Sequence, residues 1–361
     1  MDGAHLGPHN TRLHSELTPK DSPFLNHGVL LENRWHIEGM LNVGGFGQVF
    51  LGVDSSTGRE VAVKVESTRA SVSLLHNEAD CLRELNVAQG YVGIDSAAPV
   101  VHFFSSGQNE LVRFMVMDLV GRNVRELKKN TREDRFSLRT SLWVMREMMM
   151  ALEFVHKAGW IHRDVKPPNF CLFRCGVRRL FLVDFGMSRK FVKADGTLKE
   201  REKQAPFYGT VRYASPRCHA GKDVSRWDDL WSLFYIVCEN VMGAIPWRHS
   251  SDKMEVMKMK EAIDLLAPQF WQRDRPPNSI SSLRTALTEA DSNDSSFYTQ
   301  PPYNSFTHNI TSDLECIGWI EGVSPLDWDS SPSRMAGDSS VYSSPFPSPH
   351  LATSQPSFYL I

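Results

Sequence analysis

An α+β chain in two lobes is the fold class that the sequence predicts. The first lobe is small and mainly antiparallel β with one major helix. The second is larger and mainly α-helical. Three observations point there. Short β-branched apolar runs fill residues 35–64, as in QVFLGV and REVAVKVE. One amphipathic stretch follows, SVSLLHNEADCLREL, with Leu74, Leu75, Cys81, Leu82 and Leu85 on one broad side. After Gly121 the pattern turns helical, with apolar residues every three or four positions.

In chain order, residues 1–30 are polar with scattered Pro, Gly and His, and read as a flexible arm, at most lightly docked. Residues 31–120 form the first lobe. Ser55-Ser56-Thr57-Gly58 reads as the turn between its first two runs. VVHFFSSG and ELVRFMVMDLV read as a later hairpin. Residues 121–330 form the second lobe. There Leu138, Leu142, Met145, Met149, Leu152 and Val155 trace a helix that Gly159 stops. WDDLWSLFYIVCENVMG is apolar almost throughout, so it belongs inside a large lobe. From about residue 271 the chain looks expanded, polar and partly irregular. Residues 331–361, rich in Ser and Pro, are expected to be disordered. The join near residue 120 predicts a cleft, where ligands commonly bind.

The 361 residues are 41% hydrophobic with a formal charge of −2. Neither a nucleic acid nor a membrane surface is an expected partner of such a chain. No stretch approaches the roughly 18 apolar residues of a membrane span, and the first twenty residues lack a signal peptide's apolar run. The cysteines 81, 171, 175, 218, 238 and 316 are irregularly spaced and suit free thiols in a reducing compartment better than a zinc set. Two glycosylation sequons, at Asn293 and Asn309, carry no weight in such a compartment.

Four places carry candidate chemistry. In MLNVGGFGQVF, Gly44, Gly45 and Gly47 either cradle a phosphate or form a hairpin tip. No Gly-Lys-Ser/Thr follows, and Gln48-Val49-Phe50 continues as strand, so neither a Walker A nor a dinucleotide fingerprint fits. Lys64, in VAVKVE, is either an outward lysine of an edge strand or a fixed cation for phosphate oxygens. A buried ammonium wants a carboxylate, and Glu78 in the next helix can supply it or simply face solvent. AGWIHRDVKPPNF gathers His162, Arg163, Asp164, Lys166 and Asn169, as a solvated loop or a reaction centre. Asp184 ends an apolar run beside Phe185-Gly186, as a loop cap or a metal ligand.

Taken in order, VGGFGQV, VAVK, a helix with Glu78, HRDVKPPN, DFG, GTVRYASP and DDLWS resemble the eukaryotic-type protein kinases. The fold is then a bilobal, protein-kinase-like one. LLHNEA, VMDLVGRNV, VKPPNF, GTVRYASP, SRWDDLWSLFYIV and GAIPWR are similar to the casein kinase 1 superfamily, and within it to tau-tubulin-kinase-like members. The similarity covers about residues 33–270, and LDWD at 326–329 resembles an Asp-Trp element of that branch.

The resemblance implies a serine/threonine protein kinase that uses ATP with Mg²⁺, or Mn²⁺ in its place. Asp164 would orient the incoming hydroxyl and accept its proton, and Lys166 would steady the moving phosphoryl group. Asn169 and Asp184 would hold the metal. Lys64, paired with Glu78, would contact the α- and β-phosphates. Leu41, Asn42, Val43, Gly44, Gly45, Phe46 and Gly47 would cover the nucleotide, with Val49 and Ala62 against adenine. Met117 would be the gatekeeper, and Asp118 to Val120 the hinge. Thr210 would brace the catalytic loop, Asp229 would accept hydrogen bonds from the backbone around Arg163, and His162 would be structural.

Three features depart from the family's pattern. Asn42 stands at the loop's first glycine position, Ser215-Pro216-Arg217 replaces Ala-Pro-Glu, and the region from about 271 matches the closing helices poorly. Arg212, with Arg226, Arg248 and Lys253, would favour acidic or pre-phosphorylated sites, if these are not simply solvated charges. The expected partners are protein substrates with Ser/Thr acceptors, for a monomeric, constitutively active catalytic domain in the cytoplasm and also the nucleus. The alternative is a pseudokinase scaffold or ATP-binding interaction module.

Overall fold

The computed structural model describes residues 22–44, 47–70, 73–88, 98–173, 178–271 and 275–329. Gly45, Phe46, Cys175 and the tail expected to be disordered lie outside these. Alternating side chains build the first lobe. β1 (Leu30–Leu31), β2 (Trp35–Gly44), β3 (Gly47–Asp54), β4 (Glu60–Ser67), β5 (Phe103–Gln108) and β6 (Val112–Asp118) pair antiparallel in the order β1-β2-β3-β4-β6-β5. In β3, Gln48, Phe50, Gly52 and Asp54 are buried while Val49, Leu51 and Val53 are half-buried, the period of two of a strand.

Residues assigned to the N-terminal arm cover the outer face of this sheet. Leu25, with Val29 packed beside it, joins Leu31, Trp35, Ile37 and Phe50 in a cluster there. The Gln48 amide, almost fully buried, accepts from Phe24 N at 2.7 Å and donates to Ser22 O at 2.8 Å. Helix α1 (Leu74–Val87) packs on the other side. Ser73 caps it, and the Glu66 carboxylate accepts from Leu74 N and Leu75 N, a negative charge at the helix's positive end.

The second lobe is helical: α2 (Val124–Lys129), α3 (Leu138–Lys157), α4 (Pro216–His219), α5 (Arg226–Met242), α6 (Lys253–Ala262), α7 (Asn278–Ser292) and α8 (Tyr303–Cys316). Short antiparallel pairs, β7 (Trp160–Ile161) with β10 (Arg189–Lys190) and β8 (Phe170–Leu172) with β9 (Leu180–Leu182), frame the loops between them. Residues 226–240 of α5 are all buried, as their apolar run predicts.

The chain from 271 differs from its expectation as irregular. Residues 278–292 and 303–316 are helices that bury Ile280, Leu283 and Leu287, and Phe306, Ile310 and Leu314, in the main core. Both spacings are helical, but Ser, Thr and Asn between them dilute the pattern. Packing overrides weak intrinsic propensity here.

No helix among the described residues is long and apolar enough to cross a membrane. Cys81, Cys171, Cys218, Cys238 and Cys316 are free thiols. No group of three metal-ligating His, Cys, Asp or Glu residues occurs among the described residues.

Candidate active site

The sheet and α1 bring Lys64 and Glu78 together. Lys64 pairs across β4–β6 with Met115, and its ammonium lies 2.5 Å from Glu78 Oε2 and 2.7 Å from Asp184 Oδ1. Burial works against the charge of Lys64, yet the two carboxylates prevail and its pKa is raised. Burial also works against Asp184, but Lys64, with help from Lys166 and His162, draws its pKa down. Glu78 is the deepest of the three. Its burial outweighs Lys64, its pKa is raised, and its Oε1 has no partner.

A second group centres on Asp164. Its Oδ1 accepts from Thr210 Oγ1 at 2.8 Å and its Oδ2 from Lys166 Nζ at 2.5 Å. Asn169 Nδ2 donates to Asp164 O at 3.0 Å, and Val183 N donates to Asn169 O at 2.9 Å. That chain of bonds links the catalytic loop to Asp184. Arg163 and Asp184 both sit at positive φ, 66° and 67°. Such backbone costs roughly 1–3 kcal/mol per residue and persists where the surroundings dictate it.

Those surroundings come from α5 and α1. Asp229 accepts from His162 N at 2.7 Å and Arg163 N at 2.9 Å. His162 is fully buried and its Nε2 meets Val183 O at 3.2 Å, a packing role. Gly209 has φ +85°, and a Cβ there would run into the Arg163 carbonyl, so only glycine lets Thr210 reach Asp164. Asn77, one residue before Glu78, donates to Phe185 O, Gly186 O and Ser188 O at 2.9–3.2 Å. Asn77 lies in LLHNEA, where no sequence feature assigned it a role. Its place beside Glu78 was the signal.

The remaining predicted positions lie on the first sheet and on the segment that leaves it. Asn42 pairs with Val49, Val43 with Gln48 and Gly44 with Gly47 at the β2–β3 end, beside Leu41. A Cβ on Gly47 (φ +147°) would strike the Val65 carbonyl. Ala62 pairs with Met117, and both are buried. The Asp118 carboxylate binds Arg59 at 2.6 Å and His102 N at 2.9 Å, so its side chain serves the sheet. Val120 follows, half-buried. Arg226 is a correction to the basic set near the groove. It is buried, donates to Tyr298 O at 2.8 Å and lies over Phe191. Arg212 does contact Arg248, donating to its carbonyl at 2.5 Å.

The donor set fits a divalent ion and a triphosphate. The Asn169 amide nitrogen is committed to Asp164, which leaves its oxygen for a cation, and the Asp184 carboxylate remains partly open. A hard ion takes few protein oxygens of this kind and completes its shell with phosphate and water.

The protein kinase domain family matches residues 35–296. A probable serine/threonine-protein kinase of Dictyostelium discoideum is 31% identical over 84% of this chain and 58% of its own length. A putative casein kinase I of Caenorhabditis elegans is 32% identical over 66% of this chain and 68% of its own. A further serine/threonine-protein kinase of that organism is 28% identical over 82% and 76%. The chain thus spans a little over half of the Dictyostelium relative. With the match covering most of the sequence and both lobes that frame Lys64, Asp164 and Asp184, the chain belongs to the protein kinase family.

Proposed function

We propose that this protein transfers the γ-phosphoryl group of ATP to serine or threonine hydroxyls of protein substrates, and that it lies in the casein kinase 1 superfamily near the tau-tubulin-kinase-like branch. One observation carries the reading: Lys166 and Thr210 converge on Asp164 while Lys64 bridges Glu78 and Asp184. ATP supplies the phosphoryl group, and Mg²⁺, or Mn²⁺ in its place, neutralises its charge. Asp164, fixed by two donors, takes the hydrogen bond of the incoming hydroxyl and then its proton. Lys166, on Oδ2 of the same carboxylate, would steady the moving phosphoryl group. Lys64 is positioned for phosphate oxygens, and Asn169 and Asp184 for the ion.

Constitutive activity is part of the proposal. Arg189 donates to Asp223 at 2.6 Å and approaches Glu202 at 3.5 Å, and Glu202 N donates to Asp223. These acids already occupy Arg189 and tie the activation segment to Asp223 without a phosphate. We further propose a preference for acidic or primed sites, supported by exposed Arg248 beside Arg212, with Lys253 over Phe207. The free thiols favour a reducing compartment, and we place its action in the cytoplasm and also the nucleus, as a monomer.

The test is Mg²⁺-dependent transfer of labelled phosphate from ATP to casein. Asp184→Asn should lower it about a hundredfold or more with little change in melting temperature. Folded, ATP-binding wild type that transfers nothing would make the protein a scaffold. Arg248→Glu should weaken phosphorylation of a primed peptide several-fold more than that of its unprimed twin. Equal losses would end the charge preference.

A further inference from the structure

Residues Val211–Ala214 directly follow Thr210, whose hydroxyl donates to Asp164, so the segment adjoins the acid that would take the incoming hydroxyl. The segment belongs to no strand or long helix, yet each of its four carbonyls is held by a side chain. Trp247 Nε1 donates to Arg212 O at 2.9 Å, and Ser232 Oγ to Tyr213 O at 2.8 Å. Lys260 Nζ takes the other two, Val211 O at 2.9 Å and Ala214 O at 2.7 Å. We propose that Lys260 is a positioning residue for substrate recognition, fastening the peptide-facing segment to α6 by a caged ammonium.

The cage has the chemistry of a built site. An ammonium offers three N–H donors, and Lys260 has three acceptors: two carbonyls and His219 Nε2 at 3.1 Å. Burial, together with the nearby Lys260 charge, lowers the His219 pKa to about 4, so its ring is neutral and can accept. The Tyr235 and Trp247 rings lie 4.6 and 5.5 Å from the ammonium and offer their negative faces. No carboxylate lies within ion-pair reach of Lys260 among the described residues, and burial draws its pKa down to about 7, so the ammonium with all three donors is the form below that pH. A lysine placed only for stability would more cheaply meet an acid or snorkel to water. Here its charge is spent on orienting two carbonyls of one irregular segment.

The kinetic arm of the test rests on the kinase reading, and the second arm does not. Lys260→Met keeps the apolar stem and removes the donors. It should raise KM for an acidic serine peptide about tenfold and leave KM for ATP within twofold, because Lys64, Glu78 and Asp184 lie in the other part of the cleft. Lys260→Gln keeps two N–H donors on a shorter, uncharged arm and should raise the peptide KM about threefold. It serves as the test variant should Lys260→Met not fold. Hydrogen exchange at the amides of residues 210–215 should quicken about tenfold in the Met variant, whether or not the protein transfers phosphate. Unchanged exchange in a folded variant overturns the proposal, even for an inactive wild type. An ATP KM that rises in step with the peptide KM also overturns it, making Lys260 a general stabiliser.

Discussion

Lys64 is one cation between two carboxylates, and that imbalance has consequences at the scale of single residues. Glu78 is almost fully buried with one oxygen unpartnered, a costly place for a charge. Its worth is in holding the ammonium rather than in folding. Glu78→Gln should therefore leave stability within about 1 kcal/mol of wild type, or raise it. In the same variant, kcat/KM for ATP should fall at least about tenfold, since Lys64 would then lean on Asp184 alone. Urea unfolding and nucleotide kinetics on one preparation check both halves. A large loss of stability with little loss of kcat/KM would reverse the assignment. Lys64, Glu78, Asp164 and Asp184 were legible from their motifs, since each carries chemistry that its neighbours make conspicuous. Lys260 and Asn77 were not, because each acts on backbone carbonyls whose positions no side-chain pattern encodes.

Between elements, the catalytic loop takes its shape from a polar tie across α3, α5 and α8. His156 Nε2 meets Asp229 Oδ2 at 2.8 Å, its Nδ1 meets Tyr303 Oη, and Asp229 holds the loop's N–H groups. Burial lowers the His156 pKa below its ordinary 6.5 despite the pull of Asp229. Below about pH 6.5 the unfolded chain therefore binds a proton that the folded ring refuses, and stability falls with pH. Asp229 adds to this: burial raises its pKa, but His156 and the loop more than offset that, and the net direction is down. Asp228 opposes both. Burial pushes its pKa up to about 6, so its contribution is present at low pH and lost as pH rises through 6. Comparing variants isolates His156. His156→Gln should melt lower than wild type at pH 7 but lose less between pH 7 and 5. A parallel drop in both proteins would exclude the histidine as the titrating group. The strands and the helices at 138–157 and 226–242 were readable because burial enforces their periods. The tie between them was not, since it joins residues up to 147 positions apart.

Across the whole molecule, both ends of the described chain fasten a lobe whose loops carry the site. Ser22–Val29 lies on the outer face of the first sheet, and Asp327-Trp328-Asp329 closes the second lobe. Asp327 accepts from Ser137 N at 2.5 Å and Ser137 Oγ at 2.7 Å, at the residue that caps α3. Trp328 packs edge-on to Phe136 and Trp143, at centroid distances of 5.4 and 5.8 Å, and Asp329 pairs with Arg178 at 2.7 Å. The far end of α3 delivers His156 and then the catalytic loop, so this clamp sets the helix on which the site hangs. A half-buried tryptophan between two aromatic rings is worth about 2–4 kcal/mol against alanine. Trp328→Ala should lower the unfolding free energy extrapolated from urea titration by about that amount while KM for ATP stays within twofold at 20 °C or so, where the fold persists. The clamp spans 190 residues in sequence, and the mutation acts on the lobe as one cooperative unit. An unfolding free energy unchanged in the variant would instead show that α3 holds its place without the clamp.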